Sequence, residues 1–385
     1  MFSLENLYLI LYTNLLKPAN LADCYFFPFG STNVDDLMFG IHEEIKGLKN
    51  HCFFYDQEPI NANTVQACIE KYISLQKNTN KEIIFANSEK SDLVDTMCLE
   101  TGFKNWHYFF HGFAALSWYR DYQYIPKFEN HFTKVFISFN RLVTKDRSYR
   151  LNLASHLIER NLLKHGYVSL ILQDHGMGTW KEELTNPMSR LSSDSKTRIG
   201  RTIGKLENSL IIDSDKPPSH ASANAGIHEI TMYKSALWHL VTETVFYDHK
   251  QHLTEKIFKP IVAQRPFILV GAPKNLEYLK SYGFKTFDRW IDESYDNEFD
   301  PDKRILMIVK EIERLSSMSM SELNVMYEEM KPTLEYNFYH LYGNFKKIIV
   351  DELVDNFQKI VSDSAVLNPK SSAVDFDQVK NLLYK

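Results

Sequence analysis

The chain is short of cysteine. Four in 385 residues, Cys24, Cys52, Cys68 and Cys98, stand in separate segments with no Cys-x-x-Cys or His-rich spacing. That pattern excludes a legible zinc site or disulfide framework, and it points to free thiols in a reducing compartment. Long apolar runs are missing too. None reaches about 18 residues, so no transmembrane helix is expected and no membrane partner is read. The opening MFSLENLYLILYTNLL is apolar, but it has no basic start and carries Glu5 and Asn6. It reads as a first strand or helix rather than a signal peptide, and a cytoplasmic protein is expected. Repeats and low-complexity blocks are absent, which excludes solenoid architectures. Nor is charge of one sign in large excess. A net charge of −5 excludes a surface basic throughout, yet leaves room for a local basic groove.

What is present suits two globular domains. Hydrophobic residues make up 44% and aromatic residues 14% of the chain, enough for sizeable cores. CFFYD (52–56) and EIIFAN (82–87) read as strands, with a helical spacing over Thr64–Leu75 between them and Ser88 or Ser91 as a helix cap. A polar, Pro-containing stretch, RDYQYIPKFENHF (120–132), marks a boundary. The domains are expected at 1–128 and 129–345, with a helical tail at 346–385 whose polar end is frayed. After the boundary, KVFISFN (134–140) is a strand and 151–166 an amphipathic helix closed by Gly166. YVSLIL (167–172) is the next strand, and 189–210 is polar and irregular, a loop or a lone helix. Ala236–Thr244, Ile257–Ala263, Pro266–Val270 and Asn275–Gly283 continue the alternation. Strand–helix–strand order predicts an α/β fold of doubly wound parallel sheets. Residues 1–130 carry about 10 Lys and Arg against about 16 Asp and Glu, whereas residues 131–210 carry about 13 against about 7. The second domain therefore opens with a basic segment.

Chemistry concentrates in two stretches of that second domain. FNRLVTKDRSYR (139–150) follows a strand directly and crowds Asn140, Arg141, Lys145, Arg147 and Arg150 into one turn. Such a turn at the C-terminal end of a parallel strand faces the crevice where ligands bind, and Arg forks suit phosphate oxygens. The plain alternative is a solvated basic loop. LTEKIFKPI (253–261) opens a helix at Glu255 and Lys256, with Lys259 on the same face as Lys256 and Thr254 as cap; Glu243, Tyr247 and His252 lie just upstream. Lys and backbone N–H groups at a helix mouth can hold phosphates while a carboxylate takes ribose hydroxyls. A nucleotide-type ligand is the expectation.

Other segments are less specific. FYDQEP (54–59) places Asp56 and Glu58 at a strand end, as a general base or as two solvated acids. HYFFHGFAALSWYR (107–120) is mostly core-like, with His111 before Gly112 as the candidate for chemistry. The acidic WIDESYDNEFD (290–300) lacks Ca-loop spacing and reads as a solvated loop or a sugar contact. SHASANAGIHEI (219–230) gathers His220, Ser222, Asn224, His228 and Glu229 with no readable triad order.

TEKIFKPI…RPFILVG, followed by LEYLKSYGFKTFDRWIDESYD, resembles the donor half of phage and bacterial glycosyltransferases of the two-Rossmann (GT-B) type. It is also similar to the α1,3-fucosyltransferase family, whose signature is Tyr-x-x-Glu-Lys before an apolar helix; here His252 stands in place of the Tyr. SFNRLVTKDRSYRLNLASHLIERNLLKHGYVS resembles the Asn-Arg turn, helix and strand that open the donor domain of the phage proteins. FYDQEP and FHGFAALSWYR resemble first-domain segments of the same group. The resemblance spans roughly 50–310.

It implies two Rossmann-like domains facing a central cleft, acceptor on the first and nucleotide-sugar donor on the second, with C-terminal helices packing back. Glu255 would bind the donor ribose or base. Lys256 and Arg141 would hold the diphosphate, helped by Arg147, with Asn140, Glu243 and Lys259 completing the donor site. Glu58 or Asp56 would deprotonate the acceptor hydroxyl, and His111 joins them as a catalytic candidate. With no Asp-x-Asp read at a strand end, cations and helix dipoles would replace a metal, so no cofactor is expected. The implied acceptor is a hydroxymethylated base in phage DNA; a glycan is the rival, and a non-catalytic nucleotide-sugar binding protein is a further alternative.

Overall fold

The computed structural model describes residues 9–16, 18, 25–27, 51–55, 83–87, 90–102, 106–108, 130–174, 178–206, 208–212, 230–247, 249–363 and 374–384. Contacts divide the chain into two units, residues 1–120 with 343–385, and residues 121–342.

In the first unit, strands β1 (Tyr25–Phe27), β2 (His51–Tyr55), β3 (Ile83–Asn87) and β4 (Trp106–Tyr108) form a sheet in the order β1-β2-β3-β4, parallel throughout. Helix α1 (Asp92–Thr101) links β3 to β4 and ends at Gly102, whose φ of +71° suits a residue without Cβ. Ser91 is its N-cap by position but makes no capping bond. Asp56, Glu58, His111 and the Thr64–Leu75 segment lie outside the described residues.

The second unit is built on a parallel sheet of β5 (Lys134–Ser138), β6 (Gly166–Val168), β7 (Ala236–Thr242) and β8 (Phe267–Val270), in the order β8-β7-β5-β6. The chain steps from β5 to β6 on one side, then returns to β7 on the other. The strand order reverses between β5 and β7, the place where open parallel sheets bind ligands beyond their C-terminal strand ends. Every residue of β7 and β8 is buried, as expected of a parallel sheet covered on both faces. Helix α2 (Tyr149–Glu159) connects β5 to β6. It is followed by α3 (Trp180–Thr185), α4 (Ser193–Thr202) and α5 (Ile230–Ser235), then by α6 (Glu255–Val262), α7 (Asn275–Ser281), α8 (Pro301–Ser317) and α9 (Met320–Tyr342).

One sequence expectation fails here. Helix α2 ends at Glu159, not at Gly166; Asn161, at φ +55°, turns the chain out of it. Gly166 instead begins β6 in extended backbone, where a Cβ would lie 2.3 Å from the Phe136 ring across the sheet. Its role is close approach, not helix termination. The polar stretch 189–210, expected as a loop or a lone helix, takes the helical alternative over part of its length. It contains α4, whose Ile199 joins Ile203 in a core cluster with Val143, Leu151 and Leu170.

Helices α10 (Asn344–Asp363) and α11 (Phe376–Tyr384) belong to the first unit. Within the described part of the tail, α11 is packed: Val379 and Leu383 are buried, and Lys380 pairs with Asp355 at 2.7 Å. No helix among the described residues is long and apolar enough to cross a membrane.

Candidate functional site at the mouth of the second sheet

The first two residues of α2 form a floor at the C-terminal end of β7. Tyr149 donates its hydroxyl to the Glu243 carbonyl at 2.5 Å. The buried Arg150 guanidinium donates to the carbonyls of Leu142 (2.8 Å), Thr242 (2.8 Å) and Glu243 (3.2 Å). Sequence places Arg150 among the phosphate-facing cations; the structure turns it inward, where it ties the turn leaving β5 to the end of β7. Asn140 is likewise buried. Its amide bonds Ser138 Oγ and the Ser169 carbonyl and its own N–H meets Ser169 Oγ, so it joins β5 to the segment after β6.

Above that floor stands a compact polar cluster. Glu243 follows β7 and extends its pairing, its N–H meeting the Val270 carbonyl at 3.0 Å. Its side chain is fully buried. The carboxylate accepts from the Thr254 hydroxyl at 2.5 Å and from the backbone N–H groups of Thr254 and Thr244. The same Thr254 hydroxyl accepts from the Lys256 N–H and so caps α6. Lys256 Nζ completes the cluster, lying 3.1 Å from Thr254 Oγ1, 3.2 Å from Thr244 Oγ1 and 3.1 Å from Glu255 Oε1.

The two carboxylates beside Lys256 are driven apart. Burial pushes the Glu243 carboxyl up, against the opposing pull of Lys256 and the Thr254 bond. Burial also acts to raise Glu255, but the ammonium groups of Lys256 and Lys259 outweigh it and hold that carboxyl at about 2. Divergent carboxylates around one cation are a pattern that binding and catalytic sites share with structural ion-pair networks. Glu255 keeps 21% and Lys256 30% of its side-chain exposure, so both reach solvent at the N-terminus of the eight-residue α6.

The remaining predicted residues distribute as follows. Arg141 is exposed, one residue beyond Asn140 and next to the Leu142 carbonyl that Arg150 holds. Arg147 ends a short 3-10 turn, Lys145–Arg147, and is half-buried. Lys259 sits on α6, half-buried, with its charge felt by Glu255 and His239. The 219–229 loop is outside the described residues. The acids of 290–300 are not simply solvated. Asp296 accepts from the backbone N–H groups of Leu276 and Glu277, and Glu293 from Phe287 N–H and Thr286 Oγ1.

Sequence reasoning missed Glu183, which is buried against the Lys145 N–H (2.9 Å), and Arg190, which lies 5.0 Å from the Tyr247 ring. Neither sits in a motif, and only the fold brings α3 and its following loop to the β5 turn. Two open depressions of about 390 and 440 Å³ run beside α7 and the segment after it, around Lys280 and Asp288; no candidate donor residue lines either one. Among the described residues no group of three His, Cys, Asp or Glu side chains could hold a metal ion. Asp213-Ser214-Asp215 has Asp-x-Asp spacing and lies outside them.

No family model matches the chain, and no curated protein or solved structure matches it.

Proposed function

We propose that the chain is a glycosyltransferase of the two-Rossmann type whose second unit binds a nucleotide-sugar donor. One observation carries the reading: a partly exposed Lys256–Glu255 pair at the start of α6, braced by buried Glu243 and Thr254, stands where the strand order reverses. A helix N-terminus with a cation is suited to a diphosphate leaving group, and a low-lying carboxylate to ribose hydroxyls. In this reading Lys256, Lys259, Arg141 and Arg147 neutralise the departing diphosphate. Glu255 accepts from the ribose or base. Glu243 acts through Lys256 and Thr254 without touching ligand. Asp56, Glu58 or His111 removes the acceptor proton. No metal takes part.

The test is a thermal-shift panel of nucleotide sugars, followed by mass spectrometry of modified DNA and of glycans incubated with the best donor. Stabilisation by one nucleotide class, with a hexose or deoxyhexose mass added to acceptor, is expected. Lys256→Met should cut transfer by about a hundredfold or more while the protein still melts cooperatively. Wild-type transfer in that variant removes Lys256 from the proposed role. A DNA acceptor predicts transfer that falls steeply as salt rises; a glycan acceptor predicts little dependence.

A further inference from the structure

Lys145 is the point where the turn after β5 leaves ordinary backbone. Its φ is +56°, a left-handed conformation that disfavours a residue carrying a Cβ. Its side chain is exposed, while its N–H is held at 2.9 Å by Glu183 Oε2. Glu183 is itself 3% exposed, and its other carboxylate oxygen has no hydrogen-bond partner among the described residues. A strained residue and a half-used buried carboxylate thus face each other, and both are unfavourable for stability alone.

The rest of the turn is gripped as well. Asp146 lies 3.9 Å from Arg190, Arg190 stacks over Tyr247, and the Tyr247 hydroxyl meets Ser148 Oγ at 2.8 Å. Tyr247 belongs to the same connection as Glu243 and Thr254, so the turn is tied to the segment that carries the Lys256 cluster. Strain that persists under such constraint points to function at the strained residue.

We propose that Lys145 is a further phosphate-contacting residue at the mouth of the second sheet, aimed by Glu183 as its positioning residue, and that the group it meets is a nucleotide diphosphate. The inference rests on the nucleotide reading given above.

Binding of UDP, GDP and inorganic pyrophosphate to the full chain is measured by calorimetric titration, with a melting temperature for each variant. Lys145→Gly should melt at or above wild type, because glycine adopts φ +56° without penalty, yet bind the preferred probe at least about tenfold more weakly. Lys145→Gln keeps the strain and loses the charge; it should bind as weakly and melt near wild type. Glu183→Gln retains an acceptor for the Lys145 N–H and should bind within about threefold of wild type, whereas Glu183→Ala should match the Lys145 variants. Unchanged binding in both Lys145 variants, alongside wild-type binding, overturns this inference and leaves the nucleotide reading standing. A wild-type chain that binds none of the three probes overturns both.

Discussion

Thr254 is the hinge of the polar cluster, and removing only its hydroxyl gives a sharp test. In Thr254→Val the shape is nearly kept, but Glu243 loses its shortest donor and α6 loses its cap. A lost N-cap costs about 1 kcal/mol. A buried carboxylate deprived of one donor costs about 1–3 kcal/mol more. The sum, about 2–4 kcal/mol, corresponds to a fall in melting temperature of about 4–16 °C for a unit of this size. Thr254→Ser keeps the hydroxyl and should stay within about 1 kcal/mol of wild type. The charge on Glu243 supplies a second readout. Because burial raises its folded pKa, acid protonates it in both proteins, and a neutral carboxyl misses the lost donor less. The gap between Val and wild type should therefore narrow as pH falls from 7 towards 4. Urea unfolding followed at several pH values measures both effects. A Val variant as stable as wild type at pH 7, or a gap that widens in acid, would refute the account of a buried, hydroxyl-dependent Glu243.

Three further outcomes are expected. Arg150→Met should destabilise the second unit by about 3–5 kcal/mol, since the Leu142 and Thr242 carbonyls lose the guanidinium and the Glu243 carbonyl keeps Tyr149 but loses Arg150; a cooperative urea transition at the wild-type midpoint would contradict this. Gly166→Ala should cost about 1–3 kcal/mol or more through the clash with Phe136, read as a lower urea midpoint; the backbone at 166 is extended, so strain in φ contributes nothing. Burial holds His239 at about 3 and His156 at about 4, with Lys259 and Arg198 adding to it, both below an unfolded value of 6.5. The unfolded chain takes up these protons first, so this stability is complete above pH 6.5 and is lost as pH falls towards 4 and then 3. The slope is at most about 2.7 kcal/mol per pH unit for the pair. Raised carboxyls at Glu243 and Asp296 oppose it, and His239→Gln should shallow it measurably in denaturant titrations.

The regular parts of the second sheet were legible because their signals are local. Phe267–Val270 is a short apolar run closed by Gly271, and Thr254-Glu255-Lys256 is a cap followed by an apolar helix. Gly166 was misread because glycine ends helices and also permits close approach between strands, and only the position of Phe136 separates the two. The 189–210 stretch leaves loop and helix both open because α4 buries few residues, Ser195, Ile199 and Thr202 among them, on a strongly polar background. For the site, motif spacing brought Lys256 and Glu255 forward. The inward turn of Asn140 and Arg150 and the burial of Glu243 depend on carbonyls and hydroxyls from other strands, which no spacing encodes.

Three arginines make that limit general in this molecule. Arg150, Arg265 and Arg304 are almost fully buried, and each directs its fork at backbone carbonyls: Thr242 and Glu243, Tyr233 and Gln264, Glu298 and Phe246. A guanidinium suits this task because its donors are fixed in a plane and it tolerates desolvation better than an ammonium. Burial does depress Arg304, to about 10, which leaves it charged at neutral pH. Each fork pins chain near the end of a strand or helix, where backbone carbonyls lack ladder or intrahelical partners. At the mouth, Lys145 and Lys256 instead keep flexible stems and contact with solvent. Exchanging the two types separates the roles. Arg150→Lys should unfold the floor, because one ammonium cannot reach three carbonyls, and nucleotide binding should fall only in proportion to the folded fraction. Lys256→Arg should leave the melting temperature within about 2 °C of wild type while changing affinity for a nucleotide diphosphate in the folded protein. The opposite pairing, a stable Arg150→Lys with lost binding, would mean that the buried fork faces ligand after all.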